Sequence, residues 1–397
     1  MSDKDQLRQQ FFHKRRKGHH GFFVTPKWYR RVGVKIEEYN KKLTIGGLGK
    51  MLRIKPAKHP IPLSEIRSVL ILRYDAIGDM VVTTQVWRIL KRIAPHIKIG
   101  VACSYRNIDV LRVDPDVDVV YDMSEADVKQ ILRGAREARK ENWQISMQTV
   151  YNRKTKGAII SRLACPKGLT SIAAHDKLAH YQKLFSIVGH APHQGKYLMP
   201  MIDVIKAHFE AVFDYKPTQD EWHPSLVIDE KVLTRTRERI AQLHAENGTR
   251  RFFMVNTEAW TPFKEWGYEN TLELVKLMQD KYPDCLFLIT SSPATQKAVE
   301  HFIARPDKPS RMIYYATADL HELMAITRYS DMVITPDTSI VHMATAERKP
   351  IVAMFVWRSE WLPYNVPNVV LTPQEGNPVS TIPLSDVFAA VEELMPA

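Results

Sequence analysis

Three short stretches carry residue types at spacings that could do chemistry. The first is Arg73-Tyr-Asp-Ala-Ile-Gly-Asp79, which joins the apolar run Ser68–Arg73 to a segment of helical periodicity. A turn between a buried strand and a helix aims backbone N–H groups and the positive end of the helix dipole past the strand end. Gly78 lets a ligand approach the backbone, and Asp79, at the helix start, would present a carboxylate into the cleft. The competing reading is that Asp79 only caps its helix. The second stretch is Ile334-Thr-Pro-Asp-Thr-Ser-Ile-Val-His342. Its polar turn Asp337-Thr338-Ser339 opens a helix and makes an anion site fit for a diphosphate. His342, one turn on, either points back to the same mouth or is a core histidine under the strand. The third is the loop Asn256–Trp266, where Lys264 lies between Trp260 and Trp266. That setting suits a phosphate contact beside aromatic packing, or else a surface lysine near a packed loop.

Other chemistries find little support. No G-x-G-x-x-G follows a strand, which argues against a nicotinamide or flavin dehydrogenase, and there is no G-x-S-x-G elbow. Asp114-Pro-Asp-Val-Asp118 lacks the glycine and distal glutamate of a calcium loop and reads as a turn before a strand. Thr44–Lys50 is glycine-rich but lacks phosphate-loop spacing, and reads as a flexible turn. His19-His20 reads as tail rather than metal site. Cys103, Cys165 and Cys285 are far apart, with no C-x-x-C pair, which suggests neither a disulfide framework nor a zinc site.

The elements that must hold these stretches alternate. Ser68–Arg73 reads as a strand buried on both faces, Met80–Ile93 as a helix, Lys98–Cys103 as a strand, Ile108–Val113 as a short helix and Val117–Tyr121 as a third strand. Trp143–Thr149, a helix near 153–164 and smaller units up to about 200 follow. After a helix at 201–216 and a polar stretch marked by Pro217 and Pro224, the pattern restarts. It runs from a helix at 229–246 and the strand Phe252–Asn256 to Ile351–Phe355, closing with an amphipathic helix at 381–395. The expected organisation is therefore α/β: an extension at 1–62, a doubly wound domain at 63–216, a linker at 217–228 and a second domain at 229–397. Two such domains leave a cleft between the carboxyl ends of their sheets.

Composition bounds the partners. The 397 residues carry a net charge of +12, and residues 1–60, with 16 Lys/Arg and 4 Asp/Glu, hold all of it; residues 61–397 carry 40 of each sign. The head interleaves bases with aromatics, as in Lys27-Trp-Tyr-Arg-Arg31. This suits an anionic membrane surface, RNA phosphates and bases, or a solvated extension. The neutral body argues against a broad nucleic-acid footprint, so nucleic acid ranks last. No signal-like stretch opens the chain and no apolar run approaches the ~20 residues of a membrane span, so a cytosolic protein is expected.

Taken together, Ile77-Gly-Asp-Met-Val-Val-Thr-Thr84, Lys264-x-Trp266 and Asp337-Thr-Ser-Ile-Val-His342, in this order and placement, make residues 67–372 resemble glycosyltransferase family 9, the ADP-heptose:lipopolysaccharide heptosyltransferases. The resemblance implies a GT-B fold and an inverting transfer from an ADP-sugar to a lipid A–core acceptor at the cytosolic face of the inner membrane. The basic head would hold the enzyme there. By the same resemblance Asp79 is the general base, Lys264 contacts the donor phosphates, and Asp337 hydrogen-bonds the donor sugar. Thr338, Ser339 and His342 form the phosphate-binding helix start, and Asn152, Arg153 and Lys154 face the acceptor. No metal or other cofactor is required, magnesium being at most stimulatory. The chain departs from the family pattern at Ser339, usually Gly, and at Gln85, often Pro. Ser291-Ser292 stand where some members have a nucleoside-side acid. The competing functions are a non-catalytic sugar-nucleotide or anionic-lipid binder and, last, a nucleic-acid binder.

Overall fold

The computed structural model describes residues 46–123, 128–151, 154–174, 181–191 and 199–395. The chain builds two six-stranded sheets in which every pairing is parallel. The first holds β1 (Ser68–Leu72), β2 (Lys98–Cys103), β3 (Val119–Asp122), β4 (Ile145–Gln148), β5 (Leu169–Ala174) and β6 (Ile187–His190), in the order β3-β2-β1-β4-β5-β6. The second holds β7 (Arg251–Asn256), β8 (Cys285–Thr290), β9 (Met312–Tyr314), β10 (Met332–Pro336), β11 (Ile351–Met354) and β12 (Asn368–Leu371), in the order β12-β11-β10-β7-β8-β9. Strand order reverses between β1 and β4 and again between β7 and β10. In doubly wound sheets the crevice at that reversal, beyond the strands' carboxyl ends, is where ligands sit. All three singled-out stretches leave strands at these points: β1, β7 and β10.

Their near-continuous apolar sequence makes the central strands core. Val69 to Leu72, Phe252 to Val255 and Met332 to Ile334 are all buried. Apolar clusters cover both faces of the second sheet. The largest cluster does not stop at the domain boundary. It joins Met80, Val81 and Trp87 of the first domain to Leu226 and Ile228 of the connecting segment and to Met324, Met343 and Ala346 of the second. The connecting segment is itself packed: Trp222 is fully buried and its Nε1 donates to the carbonyl of Ile202 (2.9 Å), while Nε2 of His223 lies 2.9 Å from the carbonyl of Thr345.

Two expectations are corrected. The helix read over Met80–Ile93 is two helices, Ile77–Val81 and Thr84–Ile93. The break lies at Val82–Thr83, where the Thr83 hydroxyl donates to the carbonyl of Asp79 (2.7 Å) and accepts from Nε of Arg73 (2.8 Å). Thr84 bonds back to the carbonyl of Val81 in the same way (2.8 Å). Two consecutive threonines, each offering the backbone a side-chain partner, compete with the helical ladder. The flexible turn expected at 44–50 is overturned for its described part, since residues 46–51 are helical. Leu48 and Leu52 pack on Leu184 and Phe185, and Gly49 lies so close to the carbonyl of Lys183 that a Cβ would sit 2.1 Å from it.

Asp114 has a structural task. Its carboxylate accepts from Nε1 of Trp87 (3.0 Å) and from Nη1 and Nη2 of Arg88 (2.6 and 2.7 Å). Among the described residues no cluster of three or more His, Cys, Asp or Glu gathers to hold a metal, and no helix is long and apolar enough to cross a membrane. The head up to residue 45 lies outside the described residues.

Candidate active site

The first wall is the turn after β1. Asp79 stands in the first turn of the Ile77–Val81 helix, half-buried, and one carboxylate oxygen accepts from the N–H of Ala76 (3.3 Å). The side chain thus makes the capping contact at the start of its helix. Close by lies the fully buried Arg73, whose Nη1 donates to Asp75 (3.0 Å) and whose Nη2 has no hydrogen-bond partner among the described residues. Asn107, also buried, donates to the carbonyls of Arg73 (3.0 Å) and Ala76 (3.3 Å) and so fixes the turn from the loop after β2. Burial raises the proton affinity of Asp79, and the charge of Asp75 raises it further. The Arg73 guanidinium opposes both, and the net effect pushes Asp79 up to about 7. A carboxylate poised there exchanges protons near neutral pH, which suits a general base. Arg73 is steadied from behind by the ring of Tyr151, 6.0 Å away, whose hydroxyl lies 3.1 Å from Nδ1 of His208. Burial drives His208 down to about 3, so this support is neutral.

The second wall comes from the other domain. The Lys264 ammonium pairs with Asp337 at 2.6 Å, which joins the loop after β7 to the loop after β10. Asn256 ties the same two strand ends, donating to Thr335 (3.1 Å) and Thr338 (3.4 Å). Thr338 caps the Ser339–Ala346 helix, its hydroxyl accepting from the N–H of Ile340 (3.3 Å). Lys264 and Asp337 line a cavity of about 200 Å³ with Trp357, Ser359 and Trp361. Lys264 and Asp337, the residue before the Thr338 cap, therefore face a space that a phosphorylated ligand could enter, with Glu360 also on its wall.

His342 joins the walls. Its helix packs on the Ile77–Val81 helix, and a Cβ added at Gly78 would lie 2.4 Å from its Cδ2. The ring also meets Trp361 edge-on, with centroids 5.8 Å apart. Burial, with a smaller contribution from Arg73 and against the pull of Asp337, lowers His342 to about 4, so it is neutral at pH 7. Gly78 thus makes room for the other domain's imidazole. Gly78→Ala is expected to destabilise the protein by about 1–3 kcal/mol, the usual cost of overpacking, and to lower turnover more than nucleotide affinity. Thermal melting and donor titration check this.

Of the residues singled out, Lys264, Asp337, Thr338, Ser339 and His342 converge on one region, and Asp79 lies across the Gly78–His342 contact from them. Asn152, Arg153 and the side chain of Lys154 lie outside the described residues. Two features escaped the sequence reading. One is the buried pairing of Arg73 with Asp75. The other is Glu258, whose carboxylate accepts from Tyr268 (3.3 Å), from the N–H of Ser292 (3.3 Å) and from the hydroxyl of Thr295. An acid thus stands beside Ser291-Ser292 after all, supplied from the loop after β7. The β7–β8 register, Asn256 opposite Thr290, brings it there.

Residues 143–376 match the family model of glycosyltransferase family 9 (heptosyltransferase), more than half of the chain. The chain belongs to glycosyltransferase family 9. The matched range contains Lys264 and Asp337–His342, whereas Asp79 precedes it. No curated protein matches the sequence. Among solved structures, this family 9 chain resembles the glycosyl transferase family 9 protein from Veillonella parvula DSM 2008, with TM-score 0.65 at 15% identity over 83% of this chain and 97% of that one. It also resembles E. coli ADP-heptose lps heptosyltransferase II, with TM-score 0.62 at 16% identity over 82% and 98%. A third is E. coli heptosyltransferase WaaC with ADP-2-deoxy-2-fluoro heptose, with TM-score 0.64 at 15% identity over 82% and 99%. At such identities the likeness concerns the fold, which is GT-B. The family 9 enzyme is a glycosyltransferase whose two walls are those of a GT-B cleft.

Proposed function

We propose that this glycosyltransferase moves a heptose, with inversion, from an ADP-heptose donor to a lipid A–core saccharide, with Asp79 as general base. The observation that supports the reading is the contact of Gly78, next to Asp79, with His342, whose helix starts just after the Asp337 that pairs with Lys264. Asp79 takes the proton of the acceptor hydroxyl as the new bond forms. Lys264 and the helix N-terminus stabilise the charge that develops on the departing diphosphate. Asp337 holds Lys264 until the donor arrives and then accepts from a hydroxyl of its sugar. Attack from the face opposite the leaving group inverts the anomeric centre. Lysine and helix dipole do the electrostatic work a metal would do, so magnesium stimulates at most. Glu258 is placed to receive a ribose hydroxyl. Adenine as the base is supported by the relatives solved with ADP and an ADP-heptose analogue. The basic head attaches the enzyme to the cytosolic face of the inner membrane.

Calorimetric titration with ADP, UDP and GDP, each with and without Mg²⁺, tests the donor. The expected result is binding of ADP, weak or absent binding of the others, and little change with Mg²⁺. Preference for UDP or GDP would keep the transferase and discard heptose. No nucleotide binding would favour the second reading, an anionic-lipid-binding protein anchored by its charged head.

A further inference from the structure

The charges behind Asp79 do not balance. One cation, Arg73, stands with two carboxylates, Asp75 and Asp79, where β1 runs into the Ile77–Val81 helix. Its guanidinium is 1% exposed; it acts on the charge of both carboxylates and hydrogen-bonds only Asp75. Nε donates to Thr83, whose hydroxyl donates in turn to the carbonyl of Asp79 (2.7 Å). Nη2 has no partner among the described residues. Asp75 lies within hydrogen-bond reach of Asp79. Its Oδ2 is taken by Arg73, and its buried Oδ1 has no partner among the described residues. The loop after β2 clamps the turn, Ser104 donating to the carbonyl of Asp75 (3.4 Å) and Asn107 to those of Arg73 and Ala76.

A buried donor and a buried acceptor without partners both cost stability, and native structures keep few of them outside functional sites. Neither residue is placed to bind a substrate, since Arg73 is out of solvent and the oxygens of Asp75 are engaged or buried. We propose that Arg73 and Asp75 are positioning residues for the transfer, a fixed ion pair that orients Asp79 and governs its charge. The proposal rests on the reading of Asp79 as the general base. Two carboxylates in contact resist ionising together, and a neighbouring cation relieves that resistance. Asp75 therefore favours the protonated form of Asp79, and Arg73 favours the ionised form. Among the described residues, two further titratable groups face the cluster from other elements. Tyr151, after β4, stands over Arg73, and His342, from the second domain, meets Gly78 and is itself acted on by Asp337. Burial pushes the Tyr151 hydroxyl up and lowers His342 to about 4, so neither changes charge near neutral pH.

The test is a ¹³C NMR titration of the full chain, labelled at the side-chain carboxyl carbons of aspartate, with Asp79→Asn assigning the resonance. In the native protein the Asp79 midpoint is expected at about 7. Asp75→Asn keeps the shape of the side chain and an oxygen for Nη1, and should lower that midpoint by about one pH unit or more. Arg73→Gln should raise it. Arg73→Lys, which restores the charge without the fork, should bring it back toward the native value. The acid limb of kcat, measured with ADP-heptose and a lipid A–core saccharide, should move in the same two directions while ADP affinity stays unchanged. Should Arg73→Gln fail to fold, Asp75→Asn and Arg73→Lys still decide the matter. A midpoint that Asp75→Asn leaves in place overturns the proposal. So does a midpoint that moves while the limb of kcat stays fixed, which would make the pair a structural clasp. Native-like turnover by Asp79→Asn would instead remove the base assignment, a failure the midpoints do not share.

Discussion

Asp79→Asn is expected to lower kcat by about 10²–10⁴-fold, the range that removal of a positioned general base produces, while leaving ADP affinity nearly unchanged. Isosteric asparagine keeps the shape of the turn and loses only the proton acceptor. In the native enzyme the base is competent when ionised, so kcat should rise with pH through about 7, and the residual activity of the variant should be flat across that window. Stability should move the other way. The folded-state proton affinity of Asp79 lies above its ordinary value of 3.8. The stability this group contributes is complete below about 4 and is lost as pH rises through about 7. At pH 8 the native carboxylate is therefore a burden that asparagine lacks, and Asp79→Asn should melt at the same temperature or higher. A flat native profile near neutrality, or turnover by the variant at more than a tenth of the native rate, would remove Asp79 from the proton-transfer role.

Lys264→Ala should be the second severe lesion. The ammonium of Lys264 faces the cavity proposed for the donor, and its partner Asp337 would lose its counter-charge. Loss of a preorganised group that meets developing charge costs about 10²–10³-fold in kcat. In the proposed mechanism the same lysine also contacts the ground-state phosphates, so the donor KM should rise as well. Lys264→Arg should recover part of the donor affinity. A change in KM alone, with kcat preserved, would mean that Lys264 binds the donor without assisting departure of the diphosphate.

What could be read in advance follows the nature of the signal. The central strands announce themselves because parallel strands buried on both faces must be apolar throughout, as Val69–Leu72 and Phe252–Val255 are. The edge strand β12 is only partly buried along Asn368–Leu371 and gives no such run. Lys264 and Asp337 stand at strand ends in motifs of recognisable spacing, so their placement was legible. The partners of Arg73 were not: its place at the end of a buried run was readable, but only tertiary structure shows Asp75 and Thr83 around its guanidinium. Glu258 lies 34 residues from Ser292 in sequence, and only the alignment of β7 with β8 makes them neighbours. The break at Thr83 likewise depends on Arg73 donating to its hydroxyl, a partner that periodicity cannot supply.

The apolar body shared by the two domains restricts how the molecule can breathe. Met343 and Ala346 are buried with Met80, Val81 and Trp87 rather than with their own sheet alone. Swinging the domains apart would wet that surface, whereas most two-domain enzymes part across a polar seam. Traffic in and out of the catalytic chamber should therefore pass through the loops at its rim, with the helix pair behind it staying closed as a fixed spine. A chimera that borrows either half from a distant relative would inherit a mismatched spine, and it should lose solubility before it loses its active-site residues.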